Sequence, residues 1–378
     1  MAHRQAIAAG VATSRRLTAA VGGLVLVTAG IVLWLLATAP PRSPPPPPPE
    51  ARRVIVGVDD DTLKWTTHPL AVVAAQRRHG ADAVRLWVPW AGEARPGRVR
   101  RDELARAAQA ATQTTVVLAV FGFGKETPLT ASAQQRYCGY AGAALELAPA
   151  ARAIVVWNEA NTRTYWRGSA ASYEALLARC YDVLHALRPG IVVLDSTASG
   201  HDPGAFLRAV GAAYRASGRT RPLVDAFGHN VYPAVAGEPP SARHGDGFIG
   251  EGDYSQLVAT LDDAFGGTQQ RSRDIWYLED GFQTAVPRQL AHRYTGHENV
   301  ATITAARQAA DVRQAILLAA CQPHVRAFFN FEFVDESRLA GWQSGLEWRG
   351  ALGKPAAVAF ASAAREAERG AVRCRNGG

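Results

Sequence analysis

The sequence predicts an α/β fold, a (β/α)₈ or TIM barrel, on two observations. Eight short runs of mostly apolar residues recur from residue 54 onward, and they are apolar on both faces, as parallel strands buried between helices require. Stretches with apolar residues at helical spacing separate them, for example 102–111, 170–187 and 302–320. Eight strand–helix units in roughly 325 residues match such a barrel in count and size. The runs are 54–58, 83–88, 114–120, 153–157, 191–195, 223–229, 274–279 and 325–331.

The N-terminal region predicts one transmembrane helix. Residues 17–39 contain no charge, and 23 residues are enough to span a bilayer core, which takes about 20 in a helix. Arg15 and Arg16 precede this segment, so residues 1–16 are expected in the cytoplasm and the rest of the chain outside it. The sequence Ala-Thr-Ala at 37–39 also fits a signal-peptide cleavage site. The sequence is therefore compatible with two locations. The protein is either a single-pass membrane protein with a signal anchor or a secreted protein with a cleaved signal peptide.

Residues 40–51 are predicted to be a proline-rich linker. The sequence PPRSPPPPPPE at 40–50 favours an extended polyproline helix that does not join a packed core. One folded domain is therefore expected over 52–378. Its four cysteines permit two disulfides in an exported chain, with three pairings open and free buried thiols equally compatible. They are Cys138, Cys180, Cys321 and Cys374.

The net charge of +8 does not indicate a nucleic-acid partner. Residues 1–53 hold six Arg against one acid, Glu50, and so account for five of the charges. The remainder is spread over a long surface without a basic stripe interleaved with aromatic residues. A metal is not expected either, because no histidine pair shares a helical face and HENVA at 297–301 is not an H-E-x-x-H motif. No cofactor is expected.

Two glutamates follow strands whose ends meet at one face of the predicted barrel. The fourth run continues into WNEAN at 157–161, and the seventh ends in YLED at 277–280. Because the C-terminal ends of all barrel strands lie on the same face, Glu159 and Glu279 are expected to face one central mouth. A pair of carboxyl groups is what cleavage of a glycosidic bond requires. Burial and mutual charge are expected to keep Glu159 protonated while Glu279 stays ionised.

The WNEAN sequence resembles the W-N-E-P-N signature of strand four in clan A glycoside hydrolases, a superfamily of retaining (β/α)₈ enzymes that includes cellulase-like families such as 5 and 39. The resemblance implies that Glu159 is the acid/base and that Asn158 binds the sugar 2-hydroxyl. It also implies that Glu279, within WYLEDGFQT, is the nucleophile. The similarity extends over all eight predicted strands.

Three further residues match the family's pattern in the right order along the chain. Arg85, at the end of strand two, corresponds to an arginine that donates a hydrogen bond to the nucleophile. In GHNVYP after strand six, His229 is similar to a substrate-contacting histidine and Tyr232 to a tyrosine that contacts the nucleophile. Each also has a structural interpretation: an ion pair, a core histidine and a turn tyrosine. The three aspartates at 59–61 are candidates for binding sugar hydroxyls.

The sequence departs from the family pattern at two places. Ala160 stands where the family usually has proline, and no tryptophan ends the eighth run, so Trp342 or Trp348 from the following loop is expected to replace it. Aromatic faces stack on the apolar faces of sugar rings, and tryptophans cluster near the predicted strand ends. Trp90, Trp166 and Trp342 are therefore predicted as sugar-binding platforms.

The function predicted from these features is that of a retaining glycosidase that hydrolyses O-glycosyl bonds by double displacement. Its substrate is expected to be an oligo- or polysaccharide, and the protein is expected to act as a monomer. A separation of roughly 5–5.5 Å between the two carboxyl groups follows from a retaining mechanism. Two alternatives use the same residues or the same fold: a non-catalytic barrel that binds surface glycans, and a transglycosylase that remodels surface polysaccharide.

Overall fold

Residues 53–245 and 247–374 are described here by a computed structural model. The segments predicted as cytoplasmic (1–16), transmembrane (17–39) and linker (40–51) lie outside the described residues. Within the described ranges, no helix combines the length and the apolar character needed to cross a bilayer. All described residues belong to one compact unit.

Nine parallel strands in the described chain form one curled sheet. Its order is β5-β4-β3-β2-β1-β9-β8-β7-β6, and a separate antiparallel pair, β10 with β11, lies outside it. The strands are β1 (Ile55–Asp59), β2 (Ala83–Pro89), β3 (Thr115–Phe121), β4 (Ala153–Val156), β5 (Val192–Leu194), β6 (Thr197–Ala198), β7 (Phe227–Asn230), β8 (Ile275–Asp280), β9 (Val325–Phe331), β10 (Glu347–Trp348) and β11 (Leu352–Gly353).

The sheet closes because β5 and β6 are two parts of one barrel strand. Only Asp195 and Ser196 separate them; β5 pairs with β4 on one side, and β6 pairs with β7 on the other. A further bridge joins Leu194 to Ala226, next to β7. Counting β5 and β6 as one strand gives the eight strands of a (β/α)₈ barrel.

A helix follows each of the eight barrel strands, as the repeating unit of this fold requires. The eight helices of the described chain are α1 (Pro69–Arg78), α2 (Arg98–Ala110), α3 (Ala131–Leu147), α4 (Ala170–Leu187), α5 (Pro203–Ser217), α6 (Tyr254–Phe265), α7 (Ala305–Cys321) and α8 (Pro355–Glu368). The predicted α/β barrel is therefore confirmed, and the helix predicted at 170–187 has the observed bounds of α4.

The sixth predicted run is the one that differs most from its strand. Residues 223–229 were expected to be extended, whereas β7 begins at Phe227. The backbone N–H groups of Leu223 and Val224 donate to the Gln270 side chain at 3.0 and 3.3 Å instead of to a neighbouring strand. Both residues are buried in the hydrophobic core, so their apolar character reflects packing rather than strand pairing.

Side-chain caps fix where several helices begin. Thr130, Ser169, Asp202 and Thr304 each accept a hydrogen bond from the backbone N–H three residues later, at the starts of α3, α4, α5 and α7. These bonds satisfy amide groups that have no partner inside the helix. They set the length of the loops that connect the strand ends to the helices.

Two disulfides resolve the open cysteine pairing. Cys138–Cys180 joins α3 to α4, and Cys321–Cys374 joins the end of α7 to the C-terminal segment of the described chain. The described chain has no free cysteine. Such cross-links stabilise a fold mainly by restricting the unfolded chain.

Candidate active site

The C-terminal strand ends form a mouth with unusual backbone conformations. Trp157, Glu159 and Glu332 have φ angles of 69°, 40° and 69°, in the left-handed region that residues with side chains rarely adopt. Trp157 and Glu159 follow β4, and Glu332 follows β9. Such conformations persist only where the surrounding structure fixes them, and they concentrate at functional sites. The turn after β4 is thereby marked as a candidate site.

Aromatic packing fixes this turn from below. Trp157 is fully buried, and its indole N–H donates to the Tyr165 carbonyl at 2.8 Å. Its ring contacts the rings of Trp90, Tyr137 and Trp166. Trp90 and Trp166 are each only 3% exposed, so neither offers a free face to a sugar. Their burial argues against the prediction that these two tryptophans are binding platforms, because both rings pack in the core that supports the turn.

Asn161, the last residue of WNEAN, ties the turn to the next barrel strand. Its Nδ2 donates to the carbonyls of Ala198 and Gly200 at 3.1 and 2.7 Å, and its Oδ1 accepts the Ala198 N–H at 2.8 Å. The Glu159 N–H donates to Ser196 Oγ at 3.2 Å. The strained turn is thus held on both sides of Glu159.

Arg85 is the centre of a buried hydrogen-bond network. Its Nη1 donates to Glu279 Oε1 at 2.7 Å and to the Asp59 carboxyl, and its Nη2 donates to Asn158 Oδ1 at 2.9 Å. One guanidinium therefore joins residues from β1, β2, β8 and the turn after β4. Burial raises the pKa of Asp59, against the lowering effect of the Arg85 charge. A planar fork of donors suits this task, because it reaches several acceptors in fixed directions.

Glu159 lies where its carboxyl group gains and loses a proton near neutral pH. Burial and the negative charge of Glu279 raise the pKa of Glu159 to about 7, against the lowering effect of a hydrogen bond from Asn230. Asn230 Nδ2 donates to Glu159 Oε1 at 2.9 Å. Because the charge of Glu279 acts on Glu159, the two carboxyl groups lie within electrostatic reach of each other.

Glu279 receives a donor on each carboxyl oxygen. Arg85 donates to Oε1, and the Tyr232 hydroxyl donates to Oε2 at 3.1 Å. Burial and the charge of Glu279 raise the pKa of Tyr232 well above its ordinary value, so the phenol stays protonated and remains a donor. Trp342, 40% exposed, stacks on the Tyr232 ring at 5.4 Å between centroids. Trp342 thus lies beside the tyrosine that contacts Glu279, whereas Trp348 is buried under the Lys354 ammonium.

His229 is held by protein groups on both sides. Its Nδ1 lies 2.8 Å from Thr197 Oγ1, and its Nε2 lies 2.8 Å from the Ile249 carbonyl. Burial lowers its pKa to about 4, so the ring is neutral at pH 7. A neutral ring fits these partners if Nε2–H donates to the carbonyl and Nδ1 accepts from the hydroxyl. His229 therefore anchors the segment that follows β7, and the structural interpretation suits it better than contact with a substrate.

Sequence reasoning missed Asn230, and it did not predict the protein partners of the aspartates at 59–61. Asn230 ends β7 and is fully buried, and a polar residue at a strand end was the available signal. Asp59 pairs with Arg85, while Asp60 accepts the Phe333 N–H at 2.8 Å. Asp61 pairs with Lys64 at 2.7 Å. All three carboxyl groups therefore have partners within the protein, which supports a structural role.

No family model and no curated protein sequence matches the chain. Solved structures match it in fold. An exo-β-1,4-mannosidase from Opitutaceae bacterium strain TAV5 superimposes with a TM-score of 0.57 at 15% identity, over 85% of this chain and 60% of that chain. A GH5_18 protein from Streptomyces cattleya, solved with GlcNAc, gives 0.58 at 16% identity, over 84% and 81% of the two chains. The GH53 catalytic domain from Ignisphaera aggregans gives 0.57 at 16% identity, over 84% and 98%.

These similarities define the class of fold. The chain shares its (β/α)₈ fold with these three proteins. At 15–16% identity the likeness is one of fold, and the chain spans 60% of the length of the mannosidase. What the site does must be argued from its own residues.

Proposed function

We propose that the protein is a retaining glycoside hydrolase in which Glu159 is the acid/base and Glu279 is the nucleophile. The observation that carries the proposal is the contrast between the two carboxyl groups. The pKa of Glu159 is raised to about 7, which suits a group that donates and takes back a proton. Glu279 instead accepts hydrogen bonds from a cation and a phenol, which stabilise a carboxylate and fix its direction.

The first step exchanges one bond at the anomeric carbon for another. A carboxylate oxygen of Glu279 attacks that carbon, the bond to the leaving oxygen breaks, and the electron pair goes to the leaving oxygen. Protonated Glu159 transfers its proton to this oxygen, so the product leaves as a neutral alcohol. Glu159 is then a carboxylate, and the sugar is an ester of Glu279.

The second step restores the enzyme. A water oxygen attacks the anomeric carbon, Glu159 accepts the proton of that water, and the bond to Glu279 breaks with its electron pair returning to the carboxylate. Two inversions at one carbon give net retention. This mechanism predicts a separation of roughly 5–5.5 Å between the carboxyl groups, and a separation of 8 Å or more would contradict it.

Neighbouring side chains assist these steps by holding the reacting groups. Arg85 links Glu279 to Asn158, so the nucleophile and the residue proposed to bind the 2-hydroxyl keep a fixed relation. Tyr232 fixes the second oxygen of Glu279 and supports the ring of Trp342, which we propose as the platform for a sugar. Preorganised donors of this kind lower the barrier because they need no rearrangement during the reaction.

We propose an oligo- or polysaccharide as the substrate class, with β-mannosides as the first members to test. The support is limited to two structural neighbours: one is named an exo-β-1,4-mannosidase, and a GH5_18 variant from Streptomyces cattleya was solved with Manβ1-4GlcNAc, with a TM-score of 0.56 to this chain. The exposed face of Trp342 is compatible with stacking on a sugar ring.

We also propose that residues 17–39 anchor the protein in the cell membrane, with the barrel on the outer side. The uncharged length of this segment and the arginines before it support this location. Two disulfides within the barrel are compatible with an oxidising compartment. Fractionation, with protease added to intact cells, tests the proposal: a membrane-bound, protease-accessible barrel is expected, and a protected barrel in the cytosolic fraction would contradict it.

Hydrolysis of a panel of aryl glycosides and polysaccharides tests the activity. The full chain is compared with Glu159→Gln and Glu279→Gln, and Glu146→Gln on the exposed face of α3 is the matched control. We expect both site variants to lose activity at least 10³-fold on unactivated substrates while the control stays within twofold. A wild type that hydrolyses nothing, yet is retained by a glycan column, would favour a binding barrel.

A further inference from the structure

An apolar hollow of about 460 Å³ opens beside the candidate active site. Its walls come from the segments that follow β7 and β8, from residues just before α7, and from Trp342. Tyr232, which donates to Glu279, lines it as well. A single side chain, that of Tyr232, therefore connects the hollow to the proposed nucleophile. Its volume lies in the range of small-molecule sites.

Apart from the Trp342 ring, the lining of this hollow offers few groups that could bind a sugar. No charged side chain lines it, and most of its residues are aliphatic or aromatic. The Tyr232 hydroxyl is used by Glu279. Gln283 is also used, because its Nε2 donates to Gln343 Oε1 at 2.6 Å and its Oε1 accepts the Gln343 N–H at 2.8 Å. A ring of hydroxyl groups placed here would lose its hydrogen bonds to water without replacement, which is unfavourable.

The same hollow exposes large apolar side chains to water. Val235 is 64% exposed, Val300 is 50% exposed and Trp342 is 40% exposed, and all three line it. Phe282, which is buried, and Ile303, which is half-buried, also line it. A group of exposed apolar side chains around a concave surface is typical of a binding site for an apolar group.

The cleft has a polar part and an apolar part. Arg85, Asp59 and Asn158 approach from β2, β1 and the turn after β4 and form the polar part. The hollow is the apolar part, and the segment that lines it follows β7, whose last residue Asn230 donates to Glu159. A glycone, which carries the hydroxyl groups, is expected in the polar part. Because Glu159 is proposed to protonate the leaving oxygen, the leaving group is expected toward the hollow.

We propose that this hollow binds an apolar aglycone, so that the preferred substrates are glycosides of alkyl or aryl alcohols. The inference rests on the proposed glycosidase function, and it changes the preferred leaving group from a further sugar, as in an oligo- or polysaccharide, to an apolar alcohol. The hollow removes the apolar aglycone from water, which strengthens binding in proportion to the buried apolar area.

The first test measures binding without catalysis. N-phenyl-1-naphthylamine, an uncharged fluorescent probe, is titrated into the full chain and into the double variant Val235→Asp/Val300→Asp. Val99→Asp on α2 is the matched control, because Val99 is 66% exposed and outside the hollow. All three chains contain residues 17–39, so any binding of the probe to that segment is the same in each and does not affect the comparison. We expect the affinity of the double variant to fall about tenfold or more. Equal affinity in all three would overturn the inference.

The second test measures substrate preference. We expect kcat/KM for the octyl glycoside to exceed that for the methyl glycoside of the same sugar by about tenfold or more in the wild type and in Val99→Asp. In the double variant this ratio is expected to fall to within about threefold of one. An active enzyme whose ratio is the same in all three chains overturns the aglycone assignment alone. An enzyme inert on every glycoside overturns the proposed function, and the probe titration then decides by itself whether the hollow is an apolar site.

Discussion

The hydrogen bond from Asn230 to Glu159 gives the sharpest prediction about the acid/base residue. Asn230 Nδ2 donates to Glu159 Oε1 at 2.9 Å and lowers the pKa of Glu159, because the bond stabilises the carboxylate. Replacing Asn230 by Ala removes the donor, and no partner of Asn230 Oδ1 is lost with it. The carboxylate of Glu159 becomes less stable, so its pKa rises.

The size of the shift follows from the strength of that bond. A hydrogen bond to a charged group contributes about 1.5–3 kcal/mol, and about 1.4 kcal/mol corresponds to one pKa unit. Water entering the space left by the side chain recovers part of this energy. We therefore expect the pKa of Glu159 to rise by about one unit from its value of about 7. Since the enzyme needs Glu159 protonated, activity extends to higher pH.

The assay is the pH dependence of kcat/KM on an alkyl glycoside, whose poor leaving group makes the acid essential. The alkaline limb is expected near pH 7 in the wild type and about one unit higher in Asn230→Ala. Asn330→Ala is the matched control, because Asn330 is also buried on the barrel strand β9 but donates only to backbone carbonyls. The assignment of Glu159 as the acid/base would be refuted if the alkaline limb of the pH profile does not shift in Asn230→Ala. It would also be refuted if the limb shifts equally in both variants.

Three further predictions concern the network, the buried acids and the disulfides. Arg85→Lys is expected to lower kcat/KM about 10²–10³-fold with unchanged circular dichroism, because one ammonium group does not reach both Glu279 and Asn158. A kcat/KM within threefold of the wild-type value would contradict this. Burial raises the pKa of Asp280 from 3.8 to about 8, so the folded state holds its proton more tightly than the unfolded state, and stability is lost as pH rises between these values. Thermal melts of Asp280→Asn between pH 5 and 9 should therefore fall less steeply than those of the wild type, and parallel curves would argue against a buried neutral acid. Cys138→Ser removes a disulfide whose cysteines are 42 residues apart in the sequence. The free energy of unfolding, measured by urea titration, should fall by about 3–4 kcal/mol. An unchanged urea midpoint would mean that the disulfide does not stabilise the fold.

The fold was predictable because a parallel strand that is buried on both faces consists mostly of apolar residues and can be recognised in the sequence. The run at 114–120, for example, is apolar from Val116 to its end, and eight mostly apolar runs with helices between them leave few other architectures. Polar residues that interrupt the apolar rhythm at the strand ends then stand out. Glu159 and Glu279 were found in this way and Arg85 from the family resemblance, and the structure brings all three to one mouth.

The partners of these residues were not predictable, because they depend on contacts between distant segments. The environment of a tryptophan is one example: Trp90, Trp166 and Trp342 look alike in sequence, but only the third keeps an exposed face. His229 is another, since the carbonyl that occupies its Nε2 belongs to Ile249, twenty residues further along a loop. The pairing of the cysteines likewise depends on the adjacency of α3 and α4, which the sequence does not show.

Covalent trapping tests the central claim most directly. A 2-deoxy-2-fluoro glycoside of the preferred sugar, carrying a good leaving group, is incubated with the full chain, which is then digested and analysed by mass spectrometry. The account predicts one fluoroglycosyl group on the peptide that contains Glu279, none in Glu279→Gln, and a product with retained configuration in ¹H NMR of the ordinary reaction. Inverted product, or a label on any other residue, would contradict it.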